Sequence, residues 1–240
     1  EIYGTREVAT LSQSFLDLAG KLVDHSDYVR SFATHVSHEL KSPLTSIKGA
    51  AELLRDDDDS NPMSPEQRSR FLGNIIADTE RLDRLLSRLR ELAKAELPSE
   101  QGSSSLRDIV AQLEMQFRQL SIINEESAEE MMALPNEAAG IIFANLAENA
   151  FQSGAMTLAI EASNEGRRTT IQVRDNGCGI ADGNRDRIFE PFFSTRRDNG
   201  GTGMGRGIIR AMLASHGGSI ELLESSPAGT TFQIVLPRIS

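Results

Sequence analysis

The residues best suited to chemistry fall into two groups. The first is centred on His38, within Ser37-His38-Glu39-Leu40-Lys41-Ser42-Pro43-Leu44-Thr45. Around it Val36, Leu40, Leu44, Ile47, Ala51 and Leu54 recur at steps of three and four, the spacing of one buried helical stripe. At about 100° per residue, His38 lies roughly 160° from the middle of that stripe. Its imidazole is therefore expected in solvent, with Lys41, Ser42 and Thr45 on the same face. Pro43 cannot donate to the carbonyl of Glu39 and crowds it, so a bend is expected one turn after His38. A histidine placed this way is either an ordinary surface residue of a coiled-coil helix or a nucleophile open to approach.

The second group is spread over three short strings. Asn145 and Asn149 stand four apart in Asn145-Leu146-Ala147-Glu148-Asn149-Ala150 and share a helix face. Asp175-Asn176-Gly177-Cys178-Gly179-Ile180 closes a strand, and Gly200-Gly201-Thr202-Gly203-Met204-Gly205 opens a helix running through Arg206 to His216. Glycines ahead of a helix let backbone amides approach an anion, and the helix N-terminus adds favourable partial charge. Taken singly, glycine pairs usually make turns and helical asparagines usually face water. No Gly-x-x-x-x-Gly-Lys-Ser/Thr string occurs, which excludes a P-loop.

The elements that must position these groups show in the periodicity. Val8, Leu11, Phe15, Leu18, Leu22, His25, Val29, Phe32 and Val36 form a heptad seam, which a parallel coiled-coil dimer would bury. His25, its polar member, fits either register specification or pH sensing. Between Val36 and Leu44 the steps become four and four, a phase slip at His38. The run Asp56 to Asp59 with Ser60-Asn61-Pro62 reads as a solvated hairpin tip. Ser64-Pro65-Glu66-Gln67 then supplies a complete helix start: N-cap serine, proline at the first position, glutamine three residues on.

The second helix repeats Leu72, Ile75, Thr79, Leu82, Leu86, Leu89 and Ala93. Two amphipathic helices in a hairpin cannot bury both stripes, so an antiparallel hairpin dimerising into a four-helix bundle is expected. Leu97-Pro98 ends that part, and Ser99 to Ser105 reads as a linker. Beyond it helices are expected over 106–120 and 136–152. Hairpin strands are expected over 157–162 with 169–175, and over 220–223 with 230–236. The pattern specifies an α+β sandwich with helices on one face of a mixed sheet.

Composition narrows the function classes. A net charge of -10 leaves no excess of positive charge for general nucleic-acid binding. One cysteine cannot form an internal disulfide, which suggests a reducing compartment, and Cys178 reads as a small packed residue. No apolar run reaches membrane-spanning length, so no membrane contact is expected within the chain. All four lysines (Lys21, Lys41, Lys48, Lys94) lie in the first 94 residues, so phosphate binding further on would fall to arginine.

The strings quoted above, in their order, resemble two-component sensor histidine kinases over about residues 30 to 240. His38-Glu39-Leu40-Lys41-Ser42-Pro43-Leu44 resembles their phosphoacceptor box. The three later strings resemble the ATP-binding domain shared by histidine kinases, gyrase, Hsp90 and MutL, and Phe189-Glu190-Pro191-Phe192-Phe193-Ser194 is typical of the histidine-kinase branch. Thr5 to Leu22 resembles the closing helix of a HAMP module. The resemblance implies a HAMP-like signalling helix over 1–28, a dimerisation and phosphoacceptor domain over 29–97, a linker over 98–105 and an ATP-binding catalytic domain over 106–240.

It also implies roles. ATP would phosphorylate His38, with Glu39 taking the proton from the other ring nitrogen, and the phosphoryl group would pass to an aspartate of a response regulator. Ser42 occupies the position where many relatives use threonine or asparagine for phosphatase action, which leaves that activity open. Asn149 would ligate Mg²⁺, Asn145 would be the second polar residue of its helix, and Asp175 would accept from the adenine amino group beside Gly177 and Gly179. Residues 181 to 200 would form a lid, while Gly201, Thr202, Gly203 and Gly205 would cradle the phosphates. Phe192 and Phe193 would hold the lid, dock it or simply be core.

Where many relatives carry a lysine or arginine, this chain has Phe151-Gln152-Ser153, so Arg196, Arg197 or Arg206 would have to supply that phosphate contact. Arg206 stands where the family usually has leucine, and reads first as a surface arginine on its helix, with a phosphate contact as the alternative. The chain is expected to be cytoplasmic, as part of an inner-membrane sensor. Two alternatives remain: a dimeric nucleotide-responsive scaffold, and a histidine phosphotransfer protein with a degenerate ATP domain.

Overall fold

The computed structural model describes residues 3–57, 62–95, 102–124, 130–190, 193–195 and 203–239. By contact the chain divides into two units, Glu1–Asp83 and Arg84–Ser240.

The first unit is helical. Helix α1 spans Tyr3–Arg55 and runs through Pro43; helix α2 begins at Pro65 and extends to Ala95. The start of α2 forms as its sequence dictates. The Ser64 N–H donates to Gln67 Oε1 at 3.0 Å, and the Gln67 N–H donates back to Ser64 Oγ at 3.2 Å, a reciprocal capping box. The hairpin tip differs from expectation at Asp57. Its side chain is 9% exposed rather than solvated. It accepts the Met63 N–H at 2.6 Å and pairs with Arg68, so it fastens the turn to the first coil of α2. Glu39 and Arg81 join α1 to α2 at 3.0 Å.

Little apolar surface is covered in this unit. Ala50 is buried, but Leu44 (54%), Leu53 (53%), Leu72 (48%) and Ile76 (60%) are exposed. Leu11, Phe15, Leu18 and Val29 of the heptad seam are exposed too. The side chains of Val8, Leu22 and His25 lie outside the described residues.

The second unit is the mixed-sheet sandwich. After strand β1 (Ser104–Ser105) come helix α3 (Leu106–Gln116), strands β2 (Ser121–Asn124) and β3 (Met131–Met132), and helix α4 (Asn136–Gln152). Strands β4 (Thr157–Glu165) and β5 (Arg168–Asp175) follow, then a 3-10 helix over Asp182–Arg187, helix α5 (Gly205–Ser215) and strands β6 (Ser219–Ser226) and β7 (Gly229–Pro237). The main sheet has the order β2-β4-β5-β7-β6; β2 pairs parallel with β4 and the other neighbours are antiparallel.

Period-two burial defines one inner face: Leu158 and Ile160 on β4, Ile171 and Val173 on β5, Phe232, Ile234 and Leu236 on β7. The apolar sides of the helices close over it with Ile109 and Leu113 of α3, Ile142 and Phe143 of α4, and Ile208 and Leu213 of α5.

Three details depart from the sequence reading. Helix α3 stops at Gln116 because the chain turns at Phe117–Leu120, with Leu120 N–H donating to the Phe117 carbonyl at 2.9 Å and its side chain buried. This turn releases Ser121–Asn124 as the parallel edge strand. Within the expected linker, Ser104 and Ser105 pair antiparallel with Met132 and Met131. The β4–β5 strands extend to a two-residue turn at Gly166-Arg167, where Gly166 adopts φ +58°.

Candidate active site

In the helical unit, His38 is exposed on α1, as are Lys41, Ser42 and Thr45. Glu39 is half-buried, and its carboxylate accepts from Arg81. The neighbouring hydroxyls of Ser37 and Thr45 turn back onto the carbonyls of Ala33 and Lys41 at 2.7 and 2.8 Å. Those two hydroxyls are thereby occupied, while the imidazole is exposed.

In the sandwich unit, the separated strings converge on one cavity of about 750 Å³. Asn145 and Asn149 of α4, Asp175 and Gly179 after β5, and Gly203 and Gly205 at the head of α5 all line it. The loop after β5 is held from both sides. The Cys178 N–H donates to the Ser153 carbonyl at 3.1 Å, and the Ile180 N–H donates to Ser225 Oγ at 2.7 Å. Gly179 has φ +72°, and a Cβ there would stand 2.0 Å from the Ser226 carbonyl oxygen. Only glycine permits that approach.

Gly177 is not on the cavity wall. A Cβ at Gly177 would strike Ser153 Oγ at 2.0 Å, and its N–H donates to Asp175 Oδ1 at 2.8 Å. It therefore orients the aspartate. Asp175 is 8% exposed; burial pushes its carboxyl up, while the N–H groups of Gly177 and Thr230 pull the other way. A buried carboxylate with an oxygen open to the cavity is a specific acceptor for an N–H donor.

Asn145 is more constrained than its sequence position suggests. Its Nδ2 donates to the Ile141 carbonyl at 2.8 Å, and its Oδ1 accepts from Arg88 at 2.6 Å. It also packs so near the head of α5 that a Cβ at Gly205 would meet Oδ1 at 2.7 Å. Asn149 differs: its Nδ2 is buried without a hydrogen-bond partner. An orphaned amide on the cavity wall fits a group that a ligand satisfies, and turning the amide over presents its oxygen instead. Among the described residues no three of His, Cys, Asp and Glu cluster for a metal. A hard cation here would thus have Asn149 as its protein ligand, with phosphate and water completing the set, a fit for Mg²⁺ rather than zinc.

Several wall residues were not foreseen. Arg88, near the end of α2, donates to Asn145 and pairs with Glu91 at 2.8 Å and with Glu148. Gln152 Nε2 also donates to Glu148, at 3.2 Å. Arg185 pairs with Asp182 at 2.9 Å and reaches the Ser225 carbonyl. The guanidinium of Arg187 lies 4.5 Å from the ring of Phe193, which joins the wall. Cys178 is exposed on that wall, not packed away. Arg196, Arg197, Gly201, Thr202 and Phe192 lie outside the described residues.

Two family models match the two parts. Residues 28–98 match the His Kinase A (phospho-acceptor) domain, and residues 136–240 match the histidine kinase-, DNA gyrase B- and HSP90-like ATPase. This chain belongs to the sensor histidine kinases. It is 32% identical over 239 residues to the sensor protein ChvG of Agrobacterium fabrum, covering 89% of this chain and 39% of that protein. It is 29% identical to the sensor protein CreC of Escherichia coli, covering 98% of this chain and 51% of that protein. The chain thus spans roughly half the length of such relatives.

Among solved structures, the histidine kinase ThkA in complex with the response regulator protein TrrA matches with TM-score 0.67 and 21% identity, covering 87% of this chain and 61% of that one. The Acinetobacter baumannii histidine kinase AdeS matches with TM-score 0.61 and 19% identity, covering 85% and 98%. These likenesses establish the kinase fold, a helical hairpin followed by an α/β ATPase domain. No described helix is long and apolar enough to cross a membrane.

Proposed function

We propose that this histidine-kinase chain transfers the γ-phosphoryl group of ATP to His38 and then to an aspartate of a response regulator. The observation that carries the reading is the convergence of Asn149, Asp175, Gly203 and Gly205, from three separate strings, on one cavity in a chain whose His38 is exposed. Asp175 would accept from the exocyclic amino group of adenine, and the head of α5 would face the phosphates. Asn149 would hold Mg²⁺, which neutralises phosphate charge when bound.

Phosphoryl transfer asks mainly for positioning. One ring nitrogen of His38 bonds to the γ-phosphorus as the bond to the oxygen of departing ADP breaks, and the proton on the other ring nitrogen passes to Glu39. The phosphoryl group next moves from His38 to a carboxylate oxygen of the receiver aspartate. Ser42, exposed one turn on, would orient a water that attacks the phosphorus of the receiver's aspartyl-phosphate, releasing inorganic phosphate and the free carboxylate. The hairpin would work as a homodimer, which would cover exposed apolar side chains such as Leu44, Leu72 and Ile76. The presence of a response regulator in the ThkA structure supports that class of partner. An ATP-consuming kinase accords with the cytoplasmic placement expected from the sequence.

Incubation with γ-labelled ATP and Mg²⁺ should give acid-labile, alkali-stable label on the chain that a receiver domain then removes. ATP binding without any label would instead favour the scaffold reading.

A further inference from the structure

Arg206 is the second residue of α5, and it lines the cavity together with Asn149, Asp175 and Gly203. Burial lowers its proton affinity, and no ion pair offsets that effect among the described residues. The other arginines of the wall differ. Arg88 is committed to Glu91, Glu148 and Asn145, Arg185 to Asp182 and the Ser225 carbonyl, and Arg84 is exposed. Gln152 is uncharged and has its amide tied to Glu148. Among the described residues of this wall, Arg206 is therefore the half-buried cation without an ion-pair partner.

A guanidinium drawn out of water is unfavourable until an anion joins it. The head of α5 adds partial positive charge of the same sign, with no side chain capping its first turn. Both features call for a polyanion, and a guanidinium fork suits phosphate oxygens in particular.

We propose that Arg206 binds the phosphate tail of the nucleotide. The inference rests on the cavity's being the ATP site. Arg206 would then be the residue that tells ATP from adenosine.

The test uses the whole chain and displacement of a fluorescent ATP analogue by ATP, ADP, AMP and adenosine, for the unchanged chain, Arg206→Gln and Arg206→Lys. Arg206→Gln is expected to weaken ATP by about tenfold or more while leaving adenosine within about twofold. Arg206→Lys is expected to regain part of the loss. Equal loss of ATP and adenosine would show a merely structural residue and overturn the proposal, as would no loss of either. If the unchanged chain bound no adenine nucleotide, the ATP-site reading would itself fail, an outcome seen without any variant.

Discussion

In the Arg84–Ser240 unit, Phe143, Ile142, Ile171, Ile208 and Ile234 have no exposed surface, whereas in the Glu1–Asp83 unit Leu11, Phe15, Leu44, Leu72 and Ile76 are each about half exposed or more. The same chain thus holds one part whose apolar faces are matched internally and one part whose faces are not. A sheet covered by three helices closes its own core; two helices of a hairpin leave stripes that only further helices can cover. The chemistry divides the same way. The cavity is lined by glycines in close backbone approach, while His38 is exposed on a helix whose apolar side chains are largely uncovered.

The largest effect expected from this contrast is in the sandwich. Phe143→Ala should destabilise that unit by about 3–5 kcal/mol, as for other buried aromatics. Urea unfolding should show the same loss at low and high chain concentration. Leu44→Ala should act differently, raising the dissociation constant of the dimer about tenfold, read by sedimentation, while leaving ATP affinity unchanged. A loss from Leu44→Ala that is independent of concentration would break the comparison.

The smallest effect concerns Asp175. Burial pushes its carboxyl up, so the folded chain holds that proton more tightly than the unfolded chain does. Stability from this group is full below the ordinary aspartate range, falls as pH rises through the raised value, and stays reduced above it. Asp175→Asn should therefore melt slightly higher than the unchanged chain at pH 7 without nucleotide. The gap should close on acidification, and adenine binding should be lost throughout.

Much of this was legible in residues that act locally. The Ser64–Gln67 capping box and helix α4 over Asn136–Gln152 form where their sequence signals place them, because caps and periodicity are short-range. The glycines of the cavity were legible from the backbone they permit, as the positive φ of Gly179 and of Gly203 bears out, whereas Asn149 and Asp175 were singled out by spacing and by resemblance to the family. What escaped depends on distant pairing. Strand β2 exists because Ser121–Asn124 lies along Thr157–Ile160, which a run of four residues cannot reveal. Arg88 reads as one more charge on a solvated helix face; its partner Glu148 lies 60 positions further along the chain. Asp57 likewise reads as part of an acidic run until Met63 and Arg68 close on it.

The most direct test of this division between acceptor and donor compares His38→Gln and Asn149→Asp with the unchanged chain under γ-labelled ATP and Mg²⁺. On that division, His38→Gln should bind ATP normally and take no label, whereas Asn149→Asp should still self-associate and take none because its added negative charge faces the phosphates. Acid-labile label persisting on His38→Gln would contradict it.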